Sequence, residues 1–247
     1  MWNHKKVAAY TGTKNLYPMM VPAVKSLLIN SDVDEIWLYL EDDKLPDIFK
    51  GAPEDIIKIR NASKQTYFKA DGPNMQSKFT YMAMMRATFA KEFPELPRIL
   101  SLDVDTIITK DISSLWDLPL EDGDGYYFAA SEEPGRSEKE DILYTNIGVC
   151  LYNLDKLRDG KCDEAIKILN EKKYTYLEQD VFNYICQGNI LAMDPVYNST
   201  IFTKVSDDPR IVHFAGEKKW SGKTIVQKYA ERPWSEVMKY RKWNYGK

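Results

Sequence analysis

The stretch Arg98-Ile99-Leu100-Ser101-Leu102-Asp103-Val104-Asp105-Thr106-Ile107-Ile108 constrains this chain more than any other. It opens apolar and β-compatible, then presents two aspartates separated by one valine. Side chains alternate along a strand, so Asp103 and Asp105 project together while Val104 points into the core. Two carboxylates converging at a strand end are hard oxygen ligands suited to Mn²⁺ or Mg²⁺, especially where a substrate phosphate completes the shell. In an open α/β sheet, ligands sit beyond the C-terminal strand ends, which is where this pair would lie. The same spacing recurs in Asp32-Val33-Asp34, before a predicted strand, and in Asp122-Gly123-Asp124, in an acidic turn. Both of those read as solvated. The apolar run before Asp103 sets the central pair apart; the competing reading is a polar strand exit.

Around this stretch the pattern alternates strand and helix. Val7-Ala8-Ala9-Tyr10 is a first strand that breaks at Thr11-Gly12-Thr13, and Val21, Val24, Leu27 and Leu28 form the apolar stripe of a following helix. Asp34–Leu40 and Ile56–Ile59 read as further strands. This order predicts a parallel or mixed sheet with flanking helices. The exit of the first strand then lies near Asp103 and Asp105, although Thr11-Gly12-Thr13 lacks the glycine spacing and lysine of a phosphate loop. From Gln76 to Glu92 the spacing predicts a helix with Phe79, Met82, Met85 and Phe89 on one face and Arg86 beside them. Arg86 is then either a snorkelling surface residue or a partner for a carboxylate or phosphate.

Further along, the polar run 131–141 reads as a mobile loop over a site. Tyr144–Asn153 is a strand that Asn146 and Gly148 interrupt, implying a bulge or a close approach to ligand. Residues 162–172 are amphipathic helix, and Glu178-Gln179-Asp180 opens another, where acidic first-turn residues also suit plain capping. Arg210–Phe214 is a short strand carrying His213 into Ala215-Gly216-Glu217-Lys218-Lys219-Trp220, a corner suited to an anion and a metal. In the final segment aromatic residues (Trp234, Tyr240, Trp243, Tyr245) interleave with lysine and arginine. That pattern fits either docking on an anionic membrane surface or packing against the domain.

A chain of 247 residues can bury a sizeable core. The simplest division is one domain over 1–222 and a C-terminal aromatic and basic tail over 223–247. A net charge of −3 argues against a nucleic-acid partner bound through bulk charge. The three cysteines, Cys150, Cys162 and Cys186, are odd in number with no close pair, which suggests idle thiols in a reducing compartment. The N-terminus offers no signal-type apolar run and no segment approaches membrane-spanning length, so a cytoplasmic protein is expected.

Taken in order, these landmarks resemble the retaining nucleotide-sugar glycosyltransferases of family 8, which include glycogenin and bacterial lipopolysaccharide galactosyl- and glucosyltransferases. The matching pieces are Arg86, Leu102-Asp103-Val104-Asp105, Asn146-Ile147-Gly148-Val149, Glu178-Gln179-Asp180 and His213-Phe214-Ala215-Gly216-Glu217-Lys218-Lys219-Trp220. The resemblance implies a GT-A fold, a Rossmann-like mixed α/β sheet with the DxD motif at a strand end. It also implies a UDP-sugar donor, UDP-glucose or UDP-galactose, and a carbohydrate, glycolipid or glycoprotein acceptor. Carried over, Asp103, Asp105 and His213 bind Mn²⁺ (or Mg²⁺), Gly216 and Lys219 contact the diphosphate, and Val104 lies against the donor. Arg86 and Asn146 serve the donor sugar, Gln179 or Asp180 the reacting face, and Thr11, Thr13 and Tyr17 the uridine. The first βα turn matches loosely, the usual Asp-Gln-Asp reads Glu178-Gln179-Asp180, and no proline stands between Lys219 and Trp220. A nucleotide-sugar-binding protein without turnover and a metal-dependent nucleotidyltransferase are the alternatives.

Overall fold

The computed structural model describes residues 4–216 and 222–244. Nine strands occur among them: β1 (Val7–Thr11), β2 (Glu35–Leu40), β3 (Ile57–Asn61), β4 (Arg98–Leu102), β5 (Thr106–Ile108), β6 (Phe128–Glu132), β7 (Thr145–Asn153), β8 (Ile190–Ala192) and β9 (Ile211–His213). The α-helices are α1 (Tyr17–Asn30), α2 (Phe89–Glu92), α3 (Pro134–Glu140), α4 (Leu154–Leu157), α5 (Lys161–Glu171), α6 (Glu178–Ile185), α7 (Thr224–Ala230) and α8 (Trp234–Asn244). Seven strands form one mixed sheet in the order β3-β2-β1-β4-β7-β6-β8, parallel from β3 to β4 and antiparallel on both sides of β7. Strand order reverses between β1 and β4, so a crevice opens beyond their C-terminal ends.

Alternation along the strands builds two cores. Ala8, Tyr10, Leu38, Leu100 and Leu102 face α1 and α8, while Val7, Ala9, Tyr39, Ile99 and Tyr152 face Met82, Phe89, α5 and α6. Burying apolar surface on both faces is what makes the central strands near-continuous hydrophobic runs. The three cysteines are all buried and unbridged.

A two-stranded antiparallel ribbon completes the frame, with Thr106 opposite His213 and Ile108 opposite Ile211. This register brings a residue from late in the chain beside Asp105, whose carbonyl accepts the Phe214 amide at 3.0 Å.

Three expectations need correction. Asp103-Val104-Asp105 does not continue β4: it is the turn between β4 and β5, with the Thr106 amide donating to the Asp103 carbonyl at 3.3 Å, so the two carboxylates do not meet by strand alternation. Residues 131–141 are not a loop: Ser131 and Glu132 finish β6, and Pro134 starts α3 at a position that leaves no helical hydrogen bond unmade. The Gln76–Glu92 helix is shorter and tighter, a 3-10 helix over Tyr81–Thr88 followed by α2. The Thr80 hydroxyl caps it, accepting from the Met82 amide at 3.0 Å, and Phe79 stays outside it, 38% exposed. The expected bulge is present: register jumps between Ala130 opposite Cys150 and Ser131 opposite Asn146.

The segment after residue 222 is packed on the domain at α8. Trp234 and Val237 are buried against the α1 side, with the Trp234 ring 6.3 Å from Phe49 and the Lys25 ammonium 5.1 Å above it. No helix among the described residues is long and apolar enough to cross a membrane.

Candidate active site

A cleft of about 410 Å³ lies at the β1/β4 crevice, bordered by Thr11, Val104, Asp103, Asp105, His213 and Gly216 on one side. Arg86, Glu178 and Gln179 face it from the helical side. Ligand atoms of Asp103, Asp105 and His213 all lie within 4.8 Å of one another. His213 Nε2 stands 3.3 Å from Asp105 Oδ1 and 3.5 Å from Asp103 Oδ2, buried, with no hydrogen-bond partner among the described residues.

The other imidazole nitrogen is fixed. Nδ1 donates to Asn198 Oδ1 at 2.8 Å, while Asn198 Nδ2 donates to the Asn146 carbonyl and to Asn146 Oδ1. Asn146 Nδ2 in turn donates to Glu133 Oε1 at 2.7 Å. This chain orients the ring so that Nε2 presents its ligating position to the two carboxylates. Burial disfavours the imidazolium, yet Asp105 and Asp103 outweigh it and raise the His213 pKa to about 10. The three groups therefore attract one shared cation, a proton or a divalent ion. Two carboxylates and an imidazole are a donor set that suits Mn²⁺ or Mg²⁺.

Gly148 makes room for this arrangement. A Cβ built there would overlap His213 Cε1 and lie 2.6 Å from Asp103 Oδ2. The bulge in β7 thus serves a close approach of backbone to the triad.

Arg86 is buried and bridges the two walls. It pairs with Asp103 Oδ1, donates to the Ile147 carbonyl at 3.2 Å and lies 3.5 Å from Glu178 Oε1. Burial works to raise the Asp103 pKa, but Arg86 and His213 hold it below the usual carboxylate range. Burial wins at Glu178, pushing its carboxyl up to about 7 against the pull of Arg86. Leu177, just before it, has φ of +50°, a strained conformation for a branched side chain that sets the direction in which α6 begins.

Gln179 is held at both ends of its amide. Its Oε1 accepts from the Ile147 amide at 3.3 Å, and its Nε2 donates to Glu133 and Tyr144 at 3.3 and 3.2 Å. Asp180 points elsewhere. It is buried and accepts from the Tyr144 hydroxyl at 2.6 Å, from Arg136 at 3.2 Å and from the Tyr176 amide at 2.9 Å.

The expected nucleotide residues divide. Thr11 borders the cleft; Thr13 donates to Asn15 Oδ1, and the Tyr17 hydroxyl is engaged by Asp42 and the Glu41 amide, neither residue bordering the cleft. Asn146 stands behind the triad, away from the cleft surface. Gly216, at φ of +77°, borders the cleft, whereas Lys218, Lys219 and Trp220 lie outside the described residues, as does Tyr245. Sequence reasoning does not reach Asn198 and Glu133, because each joins the site through pairings distant in sequence. Among the other aspartate pairs, Asp34 accepts from the Lys6 amide, and Asp122 and Asp124 are exposed.

The profile of glycosyl transferase family 8 matches residues 8–224. General stress protein A of Bacillus subtilis (strain 168) is 27% identical over 89% of this chain and 88% of its own length. The lipopolysaccharide 1,2-glucosyltransferase of Escherichia coli (strain K12) is 28% identical over 86% of this chain and 68% of its own. Other relatives are longer: the chain spans 63% of one pneumococcal glycosyltransferase. Among solved structures, the galactosyltransferase LgtC in complex with donor and acceptor sugar analogs superposes with a TM-score of 0.62 at 19% identity, covering 94% of each chain. The solved structure shares the GT-A fold, the family match runs from β1 through β9, and the chain belongs to glycosyl transferase family 8.

Proposed function

We propose that the protein is a retaining hexosyltransferase that moves glucose or galactose from UDP-glucose or UDP-galactose to a hydroxyl of a carbohydrate, glycolipid or glycoprotein acceptor. The observation that carries this reading is the convergence of Asp103, Asp105 and His213 within 4.8 Å in a cleft whose other wall holds Arg86 and Gln179. The sugar-analog complex of LgtC and the glucosyltransferase activity in the name of the Escherichia coli relative support the choice of a hexose donor.

On this reading Asp103, Asp105 and His213 hold Mn²⁺ or Mg²⁺. When bound, the ion supplies positive charge against the diphosphate as UDP departs. Thr11 and Val104 serve the nucleoside, with Thr13 and Tyr17 holding the turn behind them, Gly216 and Lys219 serve the diphosphate, and Arg86 the donor sugar. Asn146 acts through Asn198 and Glu133, by holding the site in shape. The acceptor hydroxyl attacks the anomeric carbon on the face UDP leaves. The carbon–oxygen bond to the diphosphate breaks, the new glycosidic bond forms, and the hydroxyl proton passes to a phosphate oxygen of UDP.

Same-face attack is favoured over a covalent intermediate because neither Gln179 nor Asp180 is poised as a nucleophile, while Glu178, the other candidate carboxylate, is buried 3.5 Å from the Arg86 guanidinium. Gln179 presents an anchored, neutral amide. Asp180 is occupied by three donors and acts by positioning. The protein is proposed to work in the cytoplasm, with peripheral membrane contact falling to the exposed Lys239 and Tyr240, since Trp234 and Val237 are buried.

Calorimetric titration of UDP, with Mn²⁺ and then with EDTA, tests the site. Metal-dependent binding is expected, followed by UDP release from one of the two donors and an α-linked product by NMR. Absence of binding under both conditions overturns the reading. An Asp105→Ala variant that folds but no longer turns over excludes a pure binding protein, and a trapped glycosyl-enzyme adduct would refute same-face attack.

A further inference from the structure

A second pocket, of about 510 Å³, adjoins the cleft and shares the Tyr176 side chain with it as a common wall. Its lining joins α3 to the start and middle of α6: Arg136, Lys139 and Glu140 from one, Asp180 and Tyr184 from the other, with Lys173 and Tyr174 between α5 and α6. The segment expected to be a loop is therefore a helix that forms one side of this pocket.

The surface is aromatic and cationic. Tyr176 and Tyr184 are 37% and 40% exposed, large rings that a folded chain ordinarily covers. Tyr174 and Tyr184 pair at 6.4 Å, and Tyr176 pairs with Phe79 at the cleft mouth at 5.7 Å. Between the two pairs the Arg136 guanidinium lies 5.0 Å from the Tyr176 ring centre. An exposed tyrosine offers an apolar face and a polar rim, which matches the C–H face and hydroxyl edge of a sugar ring.

The charges in the pocket are unequal. Arg136 lies 4.0 Å from the Tyr144 ring centre and engages both pocket carboxylates, Asp180 at 3.2 Å and Glu140 at 3.5 Å. That leaves two exposed ammonium groups, Lys139 and Lys173, with no ion pair among the described residues. Arg136 alone does not balance its two carboxylates, and Lys139 and Lys173 turn the lining as a whole positive, three cations against two carboxylates.

We propose that this pocket binds an acidic sugar unit of the acceptor, carrying a carboxylate or a phosphate, while the neighbouring unit extends over Tyr176 into the cleft. The inference rests on the cleft being a glycosyl-transfer site, and it names the acceptor class as an acidic oligosaccharide of two units or more. Tyr176 and Tyr184 stack the rings, and Lys139 and Lys173 select the charge.

Ligand-observed NMR on the full chain tests it with three probes: glucose, glucuronic acid and glucose 6-phosphate. Glucuronic acid or glucose 6-phosphate is expected to bind about five- to tenfold more tightly than glucose, the scale of one or two exposed ion pairs. Whichever of the two binds better identifies the acidic group. The double variant Lys139→Glu/Lys173→Glu is expected to lose that preference, and Tyr184→Ala to weaken all three probes. Equal binding of the three probes, or a preference that survives the double charge reversal, overturns the proposal. UDP titration of the same variants separates this outcome from failure of the cleft: UDP binding stays at the wild-type level if the pocket alone is changed. A preference found in a protein that binds no UDP would leave an acidic-sugar site and remove the acceptor role.

Discussion

His213 Nδ1 donates to Asn198 Oδ1 at 2.8 Å, and this one bond decides which imidazole nitrogen faces Asp103 and Asp105. Asn198 reaches it through a parallel bridge between Ser199 and Val212, and the His213 amide donates to the Ser199 carbonyl at 3.0 Å. Backbone pairing and side-chain bond therefore act together on a buried ring at the cleft wall.

Asn198→Ala is expected to lower Mn²⁺ affinity by about 10–100-fold, the usual effect of losing the partner that orients a ligating histidine. Asn198→Asp keeps an acceptor for Nδ1 but cannot donate to Asn146, so it should recover part of the loss. Manganese EPR titration of the three proteins reads this without reference to turnover. Equal affinity in all three would show that the bond is packing only.

Gly148→Ala places a methyl group against His213 and Asp103 where no flexible side chain can give way. The expected result is a fold that survives with stability lowered by about 1–3 kcal/mol, and a metal site displaced. Urea unfolding and the same EPR titration should move together. A variant that binds Mn²⁺ normally would mean that β7 can shift away from the triad.

Much of this site is legible in the order of residues alone. Asp103 and Asp105 follow an apolar run that places them just past the end of β4, a local signal, although the turn into β5 and not strand alternation brings their carboxylates together. His213 can be proposed from its chemistry, but its place beside Asp105 depends on β9 pairing with β5 about a hundred residues away. Asn198 and Glu133 sit in polar stretches with no periodicity, and only tertiary pairing makes them part of the site. The helix α3 escapes sequence reasoning for a different reason. Pro134-Gly135 reads as a turn, yet proline is tolerated at the start of a helix, and the left-handed Asp141, at φ of +53°, then ends it. The 3-10 helix over Tyr81–Thr88 has apolar spacing that a regular α-helix would share, so periodicity alone cannot tell the two apart.

Glu178 makes stability depend on pH in a sense opposite to a paired surface carboxylate. Its pKa rises from 4.5 in the open chain to about 7 in the fold because burial disfavours its charge. The unfolded chain therefore ionises first, and stability falls as pH rises from about 4.5 through about 7, then levels off. The whole effect is on the order of 3 kcal/mol or less. Glu178→Gln cannot ionise, so the difference in stability between variant and wild type should swing in favour of the variant across that interval. Urea unfolding in EDTA at pH 5 and pH 8 measures it; a difference unchanged between the two would place the titration elsewhere.

Trp234 decides whether α8 is part of the domain. The side chain is 6% exposed, lies 6.3 Å from Phe49 and carries the Lys25 ammonium 5.1 Å above its ring. Lys25 also donates to the Ala230 and Arg232 carbonyls, at 3.0 and 2.5 Å, so its charge holds the turn before α8. Trp234→Ala removes the ring from this contact and is expected to destabilise the whole domain by about 3–5 kcal/mol, the scale of a large core truncation. Tyr240→Ala is the comparison: Tyr240 is 44% exposed and meets the Arg232 guanidinium 5.1 Å from its ring, a contact worth about 0.5–1 kcal/mol. A single unfolding transition shifted strongly by the first substitution and slightly by the second marks α8 as core. If Trp234→Ala leaves the transition in place, the helix is docked weakly enough to detach, and its buried apolar face becomes available to a membrane surface.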